Sequence, residues 1–467
     1  MPINIFSENS LSWMPQKNTL KRPIYQSLVH DLEEKIKSNI LMPGTKLPSQ
    51  RELADYLDLN FTTITRAYKL SEQKNLTYGV VGKGTYISPT VNTSPTITPF
   101  NTDKTINFGL ISAFEENNNL LTNVIADISS QSNINHLLTY DSPIGMTSQR
   151  KVAINYLKKI GFSVSLDNIA ITSGGQNALT IILLALFNAN DKIAVDRFTY
   201  VNFIEIAKLA QIKLIPIDYD SAGMIPEKLK YACEHNHING IYLMPYFANP
   251  TGISITDERK ITLAQVIKSH DLVLIEDNYL HFLNIFDIGS SIQMRTLLPN
   301  QTITIISMTK AISTGLRVGY LLFPSKYKHS LVTSLINVNV KTSSLDAEII
   351  TQSLVTGVAY DMMYKKIALA QHANDTFNTV FKDYPNLKTN TLFFKWIPLK
   401  KSTLSGKKIE SFFLHQGIRL FHSDRFLVSE NDKQTFLRIS LSAINNAETL
   451  KSALIKLKTL LEQFDYI

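Results

Sequence analysis

Between residues 88 and 106 the chain reads SPTVNTSPTITPFNTDKTI, with three prolines, abundant Thr and Ser, and only Asp103 and Lys104 charged. Such a stretch has no apolar face to bury, so it cannot form the interior of a packed unit. Whatever precedes it must close its own core, and so must whatever follows. The reading is an extended, semi-stiff linker over 89–106; the alternative is a loop packed over the next unit. A length of 467 residues accommodates two to four domains at about 100–200 residues each. With 44% hydrophobic and 18% charged residues, the chain is ordinary for a globular protein, and wholesale disorder is excluded. Cys233 is the single cysteine, which rules out an intrachain disulfide and a cysteine-based zinc cluster; no metal ligands are assigned. The longest strongly apolar run, Ala178 to Phe187, falls short of the roughly 20 residues a membrane span needs. Met1 to Ser10 has no basic start followed by an apolar run, so no secretory signal is expected. The expectation is a soluble cytoplasmic protein with no membrane partner.

Before the linker, Ile24, Leu28, Leu32 and Ile36 recur every four residues, the stripe of an amphipathic helix. Pro43-Gly44 marks a turn. Ser49 followed by Glu52 has the spacing of a capping box, opening a short helix that buries Leu53, Leu57 and Leu59. After the bend Asp58-Leu59-Asn60, a third helix runs from Thr62 to Lys74. Strand-like runs 76–78 and 85–87 then flank the turn Gly82-Lys83-Gly84. Helix, helix, turn, helix and hairpin is the order of a winged helix-turn-helix, placed at residues 1–88.

From Ile106 onward, buried strand patterns alternate with helical ones. Strands are predicted at Ile169–Thr172, Lys192–Val195, Gly240–Met244, Leu272–Glu276 and Thr302–Ser307, with helices at Gln176–Phe187, Tyr200–Ala210 and Asp257–Ser269. Short apolar strands joined by crossovers point to an α/β fold with a mainly parallel sheet. Beyond about residue 325 long helices dominate. A unit at 107–467 is therefore expected, with a large part to 325 and a smaller C-terminal part over 326–467.

Ligands of open α/β sheets gather at the carboxyl ends of the strands, and unusual residues stand there. Ser173-Gly174-Gly175-Gln176 precedes a helix, and is either an anion cradle or a simple turn. Asn249-Pro250-Thr251-Gly252 allows the same two readings. Asp277 ends a buried strand, where a carboxylate is costly unless paired. Lys310 follows the last strand, and Gly315-Leu316-Arg317 follows Lys310. One chemistry uses all four strand ends. A lysine amine condenses with an aldehyde cofactor, a carboxylate holds the nitrogen of a pyridine ring, a glycine turn with an arginine cradles a phosphate, and an aromatic residue such as Tyr200 stacks on the ring.

These residues carry a resemblance. TYDSPIGMTSQR, TSGGQNAL, FTYVNF, ANPTG, IEDNY, SMTKAISTGLRVGYL and FLRISLS occur in this order behind LPSQRELADYLDLNFTTITRAY. The larger region resembles fold-type I aminotransferases, which depend on pyridoxal 5'-phosphate (PLP), and the N-terminal unit resembles GntR-type winged-helix regulators. Together they resemble the MocR/GabR family of transcription regulators. The resemblance implies that Lys310, the catalytic residue, forms the Schiff base. It implies that Asp277 pairs with the ring nitrogen, that Asn249 and Tyr279 bond the phenolic oxygen, and that Tyr200 stacks. Gly175 and Gln176, with Ser307 and Arg317, would hold the phosphate, joined by Tyr140 from the second subunit of a homodimer. Arg438 would hold the carboxylate of a substrate or effector. Two departures stand out. A glycine occupies the middle of the phosphate turn, where relatives often carry serine, and the segment before Tyr200 lacks a common proline.

In the winged helix the resemblance assigns Arg51 to operator DNA, and Asn60, Thr62 and Thr63 open the recognition helix. Phe61 is open to two readings, contact with a thymine methyl or packing. Arg66 and Lys83, at the wing tip, are also placed on the DNA side. The chain carries +8 overall, and residues 1–88 hold 11 Lys/Arg against 8 Asp/Glu. From 60 to 88 four bases face Glu72 alone, the balance of a DNA-facing edge. Two functions follow from this reading: a DNA-binding regulator that senses PLP, an amino acid or an amine, and a working aminotransferase in which the winged helix is secondary.

Overall fold

The computed structural model describes residues 11–88 except 38, 39, 42, 43, 75 and 81, and residues 105–466 except 133, 285–290, 388–392, 401–403, 430–433, 445, 464 and 465. The chain divides into two compact units, 1–96 and 97–467. Most of the expected linker, 89–104, lies outside the described residues. Its last residue does not: Ile106 pairs in parallel with Ile418 and so belongs to the larger unit.

The smaller unit is built from helices α1 (Ile24–Lys37), α2 (Gln50–Leu57) and α3 (Phe61–Gln73), followed by the antiparallel hairpin β1 (Thr77–Val80) and β2 (Gly84–Ile87). The stripe of α1 works as the spacing predicts: Leu28, Leu32 and Ile36 are buried against Leu53, Leu57, Ile64 and Ile87. The capping box is formed, with Ser49 accepting from the Glu52 N–H while the Glu52 carboxylate accepts from the Ser49 N–H. Such a cap contributes about 1 kcal/mol. Asp58 takes a left-handed conformation (φ 49°) that ends α2, and Asn60 caps α3 two residues later. Helix α3 starts one residue earlier than expected. Leu59 is only half-buried against the core. Trp13, which no periodicity marks, closes the same core and donates to Asp31 at 2.8 Å.

The larger unit is organised on a seven-stranded sheet: β3 (Ile169–Thr172), β4 (Lys192–Asp196), β5 (Lys213–Ile217), β6 (Gly240–Leu243), β7 (Val273–Asn278), β8 (Thr302–Ser307) and β9 (Gly319–Leu322), in the order β3-β9-β8-β7-β6-β4-β5. All strand pairs are parallel except those of β9, which runs antiparallel to both β8 and β3. The sheet is thus mainly parallel, as expected, with the single antiparallel strand β9 making it mixed. A parallel crossover needs about a dozen or more residues, and the short connection 308–318 turns the chain straight back. Strand β5 carries Pro216, which the edge position tolerates because no neighbour needs its missing N–H. The C-terminal part adds an antiparallel sheet of β10 (Phe394–Pro398), β11 (Phe421–His422) and β12 (Phe436–Ser440), together with the helices Val358–Val380 and Ala447–Gln463. Among the described residues no helix is long and apolar enough to cross a membrane.

Candidate functional site

A cavity of about 500 Å³ opens at the carboxyl ends of β3, β4, β6, β7 and β8, where a sheet of this kind is expected to bind ligands. Gly175, Gln176, Tyr200, Asn249, Asp277, Tyr279, Ser307, Lys310, Arg317 and Arg438 all line it. Tyr140 does not, and is 87% exposed.

One end of the cavity is built for an anion. Gly174 has φ +83°, and a Cβ there would lie 2.9 Å from the Arg317 guanidinium, so glycine lets the turn and the arginine share the space. Gly175 begins the helix Gly175–Leu186, whose first N–H groups lack intrahelical partners and carry the positive end of its dipole. Ser307 sits beneath the turn, its hydroxyl bonded to Thr309 at 2.8 Å. Asn202 donates to the Gln176 side-chain oxygen at 3.3 Å and fixes that amide.

The middle of the cavity holds Asp277. It is buried, its Oδ2 accepts from Tyr242 at 2.9 Å, and its Oδ1 has no protein partner. Burial pushes its carboxyl up to about 6, with the Tyr242 bond opposing. An unshared buried carboxylate oxygen is the acceptor that a charged N–H of a ligand would satisfy. Tyr242 is held by stacking on Phe203, with ring centroids 3.9 Å apart. Tyr279 donates to the Phe247 carbonyl at 2.9 Å. Burial pushes the Tyr200 phenol up to about 12, with Asp277 acting in the same direction.

Lys310 stands in the one-turn helix Met308–Ala311, capped by Ser307, and its amine donates to the Ile111 carbonyl. Burial pulls its pKa down to about 8; Glu115 opposes this, and Arg317 and Arg438 reinforce it. At pH 7 about a tenth of such an amine is neutral, where an ordinary lysine is almost wholly charged. The fully buried Lys366 donates to the carbonyls of Lys310 and Ile312, filling acceptors that the end of a helix leaves open.

Arg438, in strand β12, is 1% exposed and faces the interior. Its guanidinium donates to the Asn249 side-chain oxygen at 3.0 Å and to the Gly109 carbonyl, and lies 4.9 Å from the Phe426 ring centroid. Its Nε has no partner. Burial lowers its pKa to about 10.

In the smaller unit Arg51, Thr62, Arg66 and Lys83 are exposed and Thr63 is half-buried. Asn60 is exposed too, but its side-chain oxygen is taken by the cap, accepting from Thr62 N at 2.9 Å. Phe61 is 46% exposed, so within this chain it does not pack into the core. Thr62, Arg66, Lys69 and Gln73 recur at helical spacing on the open face of α3. Among the described residues Arg51, Arg66 and Lys83 make no ion pair, whereas Lys74 is paired with Glu33 at 2.7 Å.

Motif reasoning does not single out Glu115, Asn202, Tyr242, Thr309 or Lys366. Asn202 and Thr309 stand inside quoted motifs and were within reach. Tyr242 becomes visible only through the register of β6 on β7, which opposes Tyr242 and Ile275 and so places Asp277 two residues further along the same face.

A winged helix with an unpaired basic face, and a mixed α/β sheet with a buried lysine and carboxylate at its strand ends, define a helix-turn-helix unit fused to an aminotransferase-like unit. The sequence pattern of the bacterial regulatory proteins of the gntR family matches residues 24–87, and that of aminotransferase class I and II matches residues 111–457. The chain is 31% identical to the HTH-type transcriptional regulator YdeF of Bacillus subtilis over 99% of both chains. It is 22% identical to the HTH-type transcriptional regulator NorG of Staphylococcus aureus, over 89% of this chain and 99% of that one. Among solved structures, an archaeal alanine:glyoxylate aminotransferase shares the fold, with TM-score 0.71, 19% identity, and coverage of 77% of this chain and 91% of that one. The kynurenine aminotransferase of Pyrococcus horikoshii does so with TM-score 0.70, 18% identity, and 78% and 92% coverage. The chain belongs to the MocR-type family of transcriptional regulators, in which a GntR-type helix-turn-helix is joined to a class I and II aminotransferase domain.

Proposed function

We propose that this regulator binds PLP in the cavity of its larger unit and adjusts its hold on operator DNA when an amino acid or amine effector enters the same cavity. The observation that carries this reading is the shared cavity of Lys310, with its lowered pKa, and Asp277, with its unshared buried oxygen. The residues fit the group. Asp277 Oδ1 would accept from the ring nitrogen. The Gly175 turn, Gln176, Ser307 and Arg317 would take the phosphate, Tyr200 would cover the ring, and Asn249 and Tyr279 would face the phenolic oxygen. When bound, PLP supplies an aldehyde that condenses with an amine and a ring that withdraws electrons from the attached amino compound. The protein holds the Lys310 amine at a pKa lowered to about 8, keeps Asp277 shielded from water, and offers the Arg438 guanidinium to a planar carboxylate.

Placed in the cytoplasm with the DNA, the regulator would act as a homodimer. Tyr140, a phenol almost wholly in solvent within one chain, would reach the partner's phosphate site, and two winged helices would meet two half-sites. A second reading, turnover of an amino acid, is favoured by one observation: an amine with a pKa of about 8 is a competent proton carrier. Sedimentation and absorbance of the purified full chain with added PLP test the proposal. A dimer with one tightly held cofactor per chain is expected, its near-ultraviolet band moving on addition of the right amino compound. A monomer, or a protein that leaves PLP free, overturns it. Sustained keto-acid release with no effect on DNA binding selects the second reading.

A further inference from the structure

Among the ionisable residues lining the cavity, Glu115 is the one that the reading above leaves without work. It begins the turn Glu115–Leu120 and is half-buried. Its carboxylate is held in place by two neutral donors: Thr314 Oγ1 donates to Oε1 at 2.6 Å and Asn118 Nδ2 donates to Oε2 at 2.7 Å. An ionised carboxylate offers about four lone-pair sites, so each oxygen keeps room for another donor. Among the described residues Glu115 makes no ion pair. Lys310 and Lys366 feel its charge, but both amines are turned to backbone carbonyls, those of Ile111 and of Lys310 and Ile312. The apolar Leu110 and Ile111 line the cavity in the same segment, with Ser112 between them and Glu115. Arg438, in the same cavity, has an Nε without a partner.

We propose that the ligand sensed in this cavity is a basic amino acid, with its carboxylate on Arg438, a methylene stem along Leu110 and Ile111, and a terminal ammonium or guanidinium on Glu115. The proposal rests on the reading of the cavity as a PLP-dependent amino-acid site. A neutral side chain closing the cavity would strip water from Glu115 and give it no counter-charge. An acidic one would place like charges together, which discriminates more strongly still. Glu115 is thereby the specificity residue.

The test uses the full-length protein loaded with PLP, titrated with L-ornithine, L-lysine, L-norleucine and L-glutamate while the cofactor absorbance is followed, for wild type and for Glu115→Gln. The expected result is half-saturation by ornithine or lysine at a concentration lower than for norleucine by about tenfold or more, and weaker binding of glutamate. In Glu115→Gln the ratio of basic to neutral ligand should collapse to within about twofold. If that variant no longer retains cofactor, Thr314→Val, which removes one of the two donors orienting the carboxylate, should narrow the ratio instead. Norleucine or glutamate binding wild type as tightly as ornithine and lysine overturns this inference alone, as does a ratio unchanged in the variants. A cofactor-loaded protein deaf to all four amino acids overturns the sensing proposal along with it.

Discussion

Asp277→Asn should make the cofactor-free protein more stable while weakening its grip on PLP. In the folded chain the Asp277 carboxyl is pushed up to about 6 from an ordinary 3.8 because burial penalises the charge more than the Tyr242 bond rewards it. Between those two values the folded state binds more protons than the unfolded one. Stability therefore falls as pH rises from about 4 to 6, and the loss is complete above the folded pKa. A difference of roughly two units corresponds to about 3 kcal/mol at pH 7.5. Asparagine keeps an oxygen for Tyr242 but turns an amide donor toward the place where Oδ1 has no partner, which costs about 1 kcal/mol or somewhat more. The net gain expected is about 1–2 kcal/mol. Thermal melts of the cofactor-free protein at pH 4.5 and 7.5 read it: the variant should melt higher than wild type at 7.5 and lose that advantage at 4.5. In parallel, its PLP dissociation constant, measured by fluorescence, should rise by at least tenfold, since an uncharged amide cannot stabilise a protonated ring nitrogen. A variant that melts lower than wild type at both pH values would show that the Asp277 charge is already compensated by the protein, and the argument that it awaits a ligand would fail.

Lys310→Ala should abolish borohydride-fixable attachment of PLP; recovery of the pyridoxyl group on another lysine would refute the assignment. In wild type the rate of attachment should climb as pH passes through about 8, where the Lys310 amine loses its proton; a profile still rising steeply at pH 10 would indicate an unperturbed lysine. Arg51→Ala should weaken DNA binding by about 1–3 kcal/mol and leave the cofactor absorbance as in wild type. Ser49→Ala removes the capping box of α2 and should cost about 1 kcal/mol, seen as earlier loss of DNA binding on heating; an unchanged profile would show that the cap contributes nothing to the folded winged helix.

The elements that carry chemistry were legible because they are local. Ile169–Thr172 and Thr302–Ser307 are short, uncharged runs rich in isoleucine and threonine, and both appear at those limits. The capping box of Ser49 and Glu52 and the stripe on α1 are likewise written within a few residues. What escaped depends on partners far along the chain. Strands β5 and β9 are absent from the expected set, and the antiparallel course of β9 comes from a short connection rather than from its own four residues. Lys366 lies 56 residues from Lys310, and its role exists only because two backbone carbonyls end a short helix in front of it. Glu115 reaches the cavity from a segment without regular periodicity, where no motif points to it. The exposure of Phe61 and the burial of Arg438 could not be read from either side chain, since both follow from which face the finished unit leaves open.

Fluorescence anisotropy with a labelled duplex from the region upstream of the protein's own gene decides whether one chain both reads DNA and reports on its cavity. At fixed salt, the full-length protein should bind that duplex more tightly than a random one. Its affinity should then shift several-fold when the PLP-loaded protein meets L-ornithine or another effective amino compound. Because the coupling is a free energy shared by the two sites, that amino compound must in turn bind with a different affinity when the duplex is present, by the same factor. Arg51→Ala should lose the DNA term and Arg438→Ala the ligand-dependent shift. Equal binding to specific and random duplexes, or one affinity whatever occupies the cavity, would mean that the protein does not couple its cavity to DNA.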